Sequence, residues 1–321
     1  MTDKLSANEF ISQLYCKAND IPLADFATWA LDLLQQIIPF DGAIWGTGHT
    51  STEQFHTQTT VDVSPQIFAT LKKHVDINPI FETLLSTTGK AVDMADVLSD
   101  KHFYQSTIYK ECFQPFGIER ILSSIHIDDR SGIFTLLTLY RYDREQSFTA
   151  QEKALQNSLL FHLIKAFSHR QLLALNENTV ASKKELSCAL CDNQGIYHAV
   201  EASFLNIVEQ HQHFNKQQAF PMSLFADNSQ TSFDNLHFIK EKFGDLYRIS
   251  VRMKNPADDL SAREKQVVAG ICQGSTFKQI AKELNLSPST VSNHLYRIYD
   301  KLNIHSRSEL VTLVNQPTSP N

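Results

Sequence analysis

The chain is short of several things, and each shortage excludes a class of protein. Its 321 residues include only 10 glycines and 10 prolines, too few for a collagen-like or low-complexity protein. Cysteine occurs five times. An odd number at irregular spacing does not make a fully paired disulfide framework and fits reduced thiols in a cytoplasm. No stretch approaches the roughly 18 uninterrupted apolar residues of a membrane span, and the N-terminus lacks a basic-then-apolar signal sequence. Charge of neither sign dominates: 29 Lys and Arg against 35 Asp and Glu leave −6, which is not the balance of a general nucleic-acid coat. A soluble, cytoplasmic protein with room for two or three domains is expected.

Catalytic signatures are missing too. Thr88-Gly-Lys-Ala91 lacks the upstream glycine and the following hydroxyl of a phosphate loop. The paired acids, strand-borne Asp and late Lys of a phosphorylated receiver are absent from the N-terminal part. No Ser/His/Asp or Cys/His set stands in a nucleophile context. The expectation is a protein that is not an enzyme and carries no cofactor. Cys188-x-x-Cys191 is at most half a zinc site, because on a strand residues i and i+3 point to opposite faces. His211-Gln-His213 is more simply a solvated loop. No metal site is expected.

The strongest pattern lies in residues 260–314. Ser261 caps a helix with Glu264 as its capping-box partner, Val267, Val268 and Ile271 recur at helical spacing, and Gly274 ends it. A second helix runs from about Phe277 to Leu284. Asn285 and Leu286 make a tight turn, Ser287 caps a third helix, and Pro288 takes its first position. Val291, Leu295, Ile298 and Leu302 form one apolar stripe there. A fourth helix near Ser306 carries Leu310, Val311 and Val314. Two short helices joined by a tight turn, the second with a polar outer face, describe a DNA-reading helix-turn-helix. Ser289, Ser292, Asn293, Tyr296 and Arg297 form that outer face; Asn can pair with adenine and Arg with guanine. Lys278 and Lys301 flank it as phosphate contacts. Any small helical bundle also has a polar outer face, so the pattern alone leaves that alternative open.

Leu260-Ser-x-Arg-Glu264, Val267, Gly274, Lys278-x-Ile-Ala281, Leu284, Ser287, Thr290-Val291, His294, Ile298, Lys301-Leu302 and Arg307 stand together without a gap. In this order and spacing the stretch resembles the LuxR-type (NarL/FixJ-type) DNA-binding domain, over about a sixth of the chain. One departure is Ser292, where the family most often has Lys, a usual DNA-contacting cation. The resemblance implies that Ser292, Asn293 and Tyr296 face base edges and that Lys278, Thr290, His294 and Lys301 touch the DNA backbone. It also implies dimerisation through the fourth helix, with Leu310, Val311 and Val314 near a two-fold axis. Residues 256–321 hold seven Lys and Arg against six Asp and Glu. So near-neutral a domain binds DNA tightly only with clustered cations or as a dimer.

Upstream, residues 1–21 are polar and at best weakly helical. A helix follows over 22–38, stopped by Pro39, then strands over 41–46 and 55–63. Helices are expected over 65–75, 79–85 and 101–113, then a hairpin of 121–127 with 133–142. A long helix over 149–177 opens on the capping box Thr149-x-x-Glu152, with Leu155, Leu159, Leu163 and Phe167 on one face in a near-heptad. That face is a candidate second dimer seam. The order resembles a GAF-like α+β sensor, a sheet with helices on one side. Residues 183–254 give a strand over 186–191, an Asp192-Asn-Gln-Gly195 turn and a strand over 196–199. A helix over 202–210 and a hairpin of 237–242 with 245–253 follow, resembling a shortened PAS-like module.

The expected fold class is therefore α+β sensor modules followed by an all-α four-helix helix-turn-helix domain. The expected domains are 1–178 (GAF-like), 183–254 (PAS-like), a linker at 255–259, and 260–321 (DNA-binding). Aromatics concentrate in the first module, and Phe40, Trp45, Phe55 and Tyr104 are candidates to line a pocket for a small apolar ligand; the alternative is a filled core. Acyl-homoserine-lactone receptors share the C-terminal domain, but their aromatic and acidic pocket pattern has no clear counterpart in residues 40–120. The expected function is a sequence-specific DNA-binding transcriptional regulator acting as a homodimer on double-stranded DNA, under control of its N-terminal region. An adaptor whose helical domain binds protein is the alternative.

Overall fold

A computed structural model describes residues 5–52, 54–176, 186–211, 214, 219–226 and 228–315. Glu177, the segment 178–185 where the first module was expected to end and the second to begin, and His213 lie outside the described residues. The chain divides into two compact units. One comprises Met1–Ala181, Cys188–Met222 and Lys242–Arg248; the other comprises Ser182–Ser187, Ser223–Glu241 and Ile249–Asn321.

The first module begins with α1 (Ala7–Cys16) and α2 (Leu23–Gln35). Residues 1–21 were expected to be weakly helical at best, yet α1 is a capped helix. Ser6 and Glu9 form a capping box, and Phe10 and Leu14 are buried. Then come β1 (Gly42–His49), β2 (Gln54–Val61), α3 (Gln66–Lys73), α4 (Pro79–Ser86), β3 (Ala91–Asp93), α5 (Met94–Val97) and α6 (Asp100–Phe103). A helix over 101–113 was expected; instead α6 stops at Phe103 and a separate π-helical turn spans Tyr109–Phe113. β4 (Arg120–Ile127), β5 (Ile133–Arg141) and α7 (Ala150–Asn176) complete the module.

The sheet order is β2-β1-β5-β4-β3. Side chains alternate across it, because successive strand residues point to opposite faces. Ala43, Trp45, Leu122, Leu137 and Leu139 pack with α1, α2 and α7. Ile44, Ile121, Ile125, Leu136 and Tyr140 pack with α3, α4 and the π-helical turn. Helices thus cover both faces, not one as expected, and β1 is buried along its whole length.

The long helix opens as expected: Thr149 N–H and Oγ1 donate to Glu152, and Glu152 N–H donates to Thr149. Arg141 at the end of β5 donates to Glu152 at 2.7 Å and to the Pro39 carbonyl at 2.8 Å, fixing where α7 leaves the sheet. Leu159, Leu163 and Phe167 are buried in the module's own core, with Trp45 and Phe167 ring centroids 5.3 Å apart. That stripe is already covered inside the module, so it is not the open dimer seam its near-heptad spacing suggested.

The next segment holds β6 (Ser187–Cys191), β7 (Tyr197–Val200), α8 (Ala202–Val208), β8 (Gln230–Phe233), β9 (Leu236–Phe243) and β10 (Leu246–Met253). The turn before β7 forms as its residues require. Asp192 Oδ1 accepts from the N–H groups of Gln194 and Ile196 at 2.8 and 2.9 Å. Gly195 has φ +85°, and a Cβ there would lie 1.8 Å from the Phe220 carbonyl oxygen, so only glycine fits. The strand order β7-β6-β10-β9-β8 repeats that of the first sheet.

Residues 255–259 are more than a linker. They form a 3-10 turn closed by an Asn255–Asp258 capping box, and Arg252 grips Asp258 through two 2.6 Å hydrogen bonds. The last four helices are α9 (Ala262–Cys272), α10 (Phe277–Glu283), α11 (Pro288–Leu302) and α12 (Arg307–Asn315).

Candidate functional site

The caps of α9 to α11 fall where their residues predict. Ser261 and Glu264 form the box on α9, and Ser287 caps α11 with Pro288 in its first turn. Thr276 and Gln279 make a further box on α10, one that the reading of the sequence overlooked. Asn285 takes φ 54° between α10 and α11, the left-handed turn residue that lets two helices meet at a sharp angle; Asn tolerates that region. Gly270 on α9 sits under Ile280, where a Cβ would lie 2.7 Å from Cγ1. Beneath α11, Val291, Leu295 and Ile298 are buried with Ile280, Val267 and Ile271, each contributing about 1.5–3 kcal/mol of burial.

That packing fixes which face of α11 is left outside. Ser292, Asn293, Tyr296 and Arg297 are all exposed, Tyr296 to 76%. Thr290 and His294 lie at the flank, half-buried. The Thr290 hydroxyl is 2.8 Å from that of Ser287, so part of its capacity serves the cap. Lys278 projects from α10 and is exposed.

Electrostatics separate the cations into two groups. Lys301 Nζ donates to both oxygens of Glu264 at 2.7 and 2.9 Å. Arg307 donates to the Ile271 carbonyl at 3.0 Å, and Arg263 to Gln266 at 2.9 Å and to the Leu284 carbonyl. These three stitch the domain together. Lys265, Lys278, Lys282 and Arg297 make no hydrogen bond or ion pair among the described residues and stay available to an anionic partner. The Lys301 ammonium, with Ser261 N–H and hydroxyl, holds the Glu264 carboxyl down to about 2. The lysine expected as a phosphate contact is therefore committed inside the domain.

Leu310 also differs from expectation. It is fully buried in the domain core, where it cannot present a surface to a second copy. Val311 and Val314 are half-buried at the rim.

The first module contains a cleft of about 880 Å³ between the β4–β5 face and the segment from α3 to α4. Ile80, Leu84, Phe113, Ile125, Phe134 and Leu136 give it apolar walls. Its buried polar groups are neutral. Ser123 and Thr138 pair hydroxyl to hydroxyl at 2.7 Å, while Tyr140 Oη and Asn78 Oδ1 have no partner of hydrogen-bonding geometry. Lys72, Asp76 and Glu82 line it only at exposed positions. Burial raises the Tyr140 hydroxyl well above its ordinary range, so it is a donor.

Of the four aromatics expected to line a pocket, only Phe55 does so. Phe40 and Trp45 belong to the core on the opposite face. Trp45 follows Ile44, and alternation turns it away from the cleft. Tyr104 is spent elsewhere: Arg144 lies 3.6 Å above its ring, and its hydroxyl donates to the Glu119 carbonyl. On β6, Cys188 and Cys191 are both buried. Burial pushes the Cys188 thiol up to about 12 and Cys191 well above its usual value, away from thiolate chemistry.

With this geometry in view, residues 258–314 match the family described as bacterial regulatory proteins, luxR family, and the C-terminal domain belongs to that family. Over 62 residues the chain is 42% identical to the response regulator UvrY of Escherichia coli strain K12, covering 19% of this chain and 28% of that protein. Over 52 residues it is 44% identical to the probable transcriptional regulatory protein NarL of Mycobacterium tuberculosis, covering 16% and 24%. The chain thus spans about a quarter of the length of these relatives. Among solved structures, SdiA of Escherichia coli aligns over 97% of this chain and 98% of its own, at 11% identity and a TM-score of 0.40. Among the described residues no helix is long and apolar enough to cross a membrane.

Proposed function

We propose that the protein is a transcriptional regulator of the cytoplasm that reads double-stranded DNA through α11 and is governed by its upstream modules. The observation that carries this is the outer face of α11. Ser292, Asn293, Tyr296 and Arg297 stand exposed on a capped helix that follows a tight left-handed turn, inside a luxR-family domain. Their short donors and acceptors suit base edges in a major groove. Lys278, joined by Lys265 and Lys282, supplies the phosphate contacts, with Thr290 and His294 at the flank; Lys301 acts through Glu264 as a brace. Two copies pair through Val311 and Val314 on α12 and place two α11 helices about one DNA turn apart. The working division is residues 1–178 and 183–254 as sensor modules, 255–259 as junction and 260–321 as output.

The cleft of the first module takes an uncharged amphipathic molecule. Its walls bind an apolar body, Tyr140 Oη donates to an acceptor, and Asn78 Oδ1 accepts from a donor. A charged ligand would enter without a buried counter-ion, at a cost of several kcal/mol. Control follows if the ligand binds the DNA-competent arrangement more tightly than the other. The reading assigns no catalytic step to any residue.

The test is selection of bound genomic fragments by the full-length protein, followed by affinity across a salt series. Enrichment of a two-fold-symmetric site with salt-dependent binding is expected. No enrichment, or binding indifferent to salt, would transfer the domain to a protein-binding adaptor role.

A further inference from the structure

Two histidines meet face to face where the first module adjoins the β6–β7 hairpin, within one compact unit. His56 on β2 and His198 on β7 stack with ring centroids 3.6 Å apart and planes 14° apart. Each strand is the outer one of its own sheet, so the stack bridges the two sheets. Neutral imidazoles attract at this separation. Two imidazolium rings would repel, and the poorly hydrated setting would strengthen the repulsion. Moreover, His56 Nδ1 is buried with no hydrogen-bond partner. A proton added there finds no acceptor while the rings stay stacked.

The surrounding groups do not relieve that cost. His49, from β1, is fully buried, with Nε2 2.8 Å from the Ser131 carbonyl oxygen and Nδ1 2.8 Å from the Ser51 hydroxyl. Asp192, from the turn before β7, is the nearby acid, and its Oδ1 already accepts two backbone N–H groups. The same junction carries Arg130, which donates to Glu209 at 2.8 and 3.1 Å and to Asn206 at 2.9 Å; Asp128 lies beside it in the β4–β5 turn. That tie does not depend on a histidine's charge.

We propose that the His56–His198 stack is an acid-released latch between the two α/β modules, closed while both rings are neutral and opened by protonation. Burial first, then His198 and His49, hold His56 down to about 4 against the opposing pull of Asp192. Burial likewise holds His198 below its ordinary value. Freed rings return toward the ordinary value of 6.5. The open form therefore binds more protons, and acid favours it. The latch is fully closed above 6.5 and is released as pH falls from there toward 4.

The experiment is amide hydrogen exchange on the full-length protein at about pH 7.5 and about pH 5, corrected for intrinsic rates, with the central strand β5 as internal reference. Protection in β7 is expected to fall about tenfold or more at the lower pH, each unit of pKa shift being a factor of ten, while β5 is unchanged. The double variant His56→Phe/His198→Phe keeps an aromatic stack that cannot titrate, and should hold its β7 protection. Acid-insensitive β7 protection in the unsubstituted protein overturns the proposal, as does an equal loss in the Phe variant. Should that variant fail to fold, an NMR titration of the unsubstituted protein's imidazoles decides. Both rings titrating well below 6.5 supports the latch; titration near 6.5 overturns it.

Discussion

Lys301 donates to both carboxylate oxygens of Glu264, at 2.7 and 2.9 Å, and thereby ties the last turn of α11 to the cap of α9. The same carboxylate accepts from Ser261 N–H at 2.8 Å. One acid thus holds the orientation of the exposed reading helix against the rest of its domain.

Removing that acid should loosen the domain. Glu264→Ala is expected to cost about 1–2 kcal/mol near neutral pH, the range for losing a cap. Because the carboxyl is held down to about 2, its contribution is complete above the ordinary value of 4.5 and is lost as pH falls from 4.5 to 2. Denaturant unfolding followed by hydrogen exchange in α9 should show the two proteins converging at the acid end. A gap that persists there would mean the carboxylate is not the source.

Two lysines that look alike in sequence should behave differently on DNA. Lys278→Ala should weaken all sequences alike and lower the salt slope by about one unit. Lys301→Ala should leave the slope nearly unchanged while destabilising the domain. Asn293→Ala and Arg297→Ala should cost about 1–3 kcal/mol at the preferred site and much less on random DNA. Fluorescence anisotropy over a salt series measures all four. Equal slopes for the two lysine variants would contradict the assignment.

On α12, core and interface come apart. Leu310→Ala should lower stability by about 2–5 kcal/mol, as expected for a fully buried leucine. Val314→Asp should leave the melting temperature close to that of the unsubstituted protein and shift the sedimentation profile toward monomer. An unaltered profile removes α12 from the interface.

In the cleft, Tyr140→Phe deletes a buried hydroxyl that has no partner. Without ligand the variant should be more stable by about 1 kcal/mol, since a desolvated donor is removed. It should also lose most of the thermal shift that uncharged amphipathic compounds give the unsubstituted protein. A destabilised variant would show that the hydroxyl is satisfied in the free protein.

The C-terminal domain was legible because its signals are local. Ser261 with Glu264, Ser287 with Pro288, and the stripe Val291, Leu295 and Ile298 lie within one or two helical turns of one another. The Ser6–Glu9 box on α1 was equally local and was passed over because few apolar residues surround it. β8 could not be read: Gln-Thr-Ser-Phe has no apolar alternation and is a strand only because it pairs with β9. The cleft was missed for a question of parity. Leu136, Thr138 and Tyr140 share one face of β5, whereas aromatic richness drew attention to Phe40 and Trp45 on the other. Residue type was visible; which way a strand turns it was visible only once the register was known. Lys301 and Leu310 stand at family positions, but their partners lie 37 residues away in sequence or deep in the core.

The shared strand order has a consequence for how such a chain can be assembled. In each sheet the first and last strands, β1 with β5 and β6 with β10, are neighbours at the centre. The polypeptide therefore enters and leaves each module at nearly the same place. A unit built this way can be duplicated, deleted or exchanged in the gene with little disturbance to what precedes or follows it, so a tandem of detectors can be lengthened while the reading head at its end stays the same.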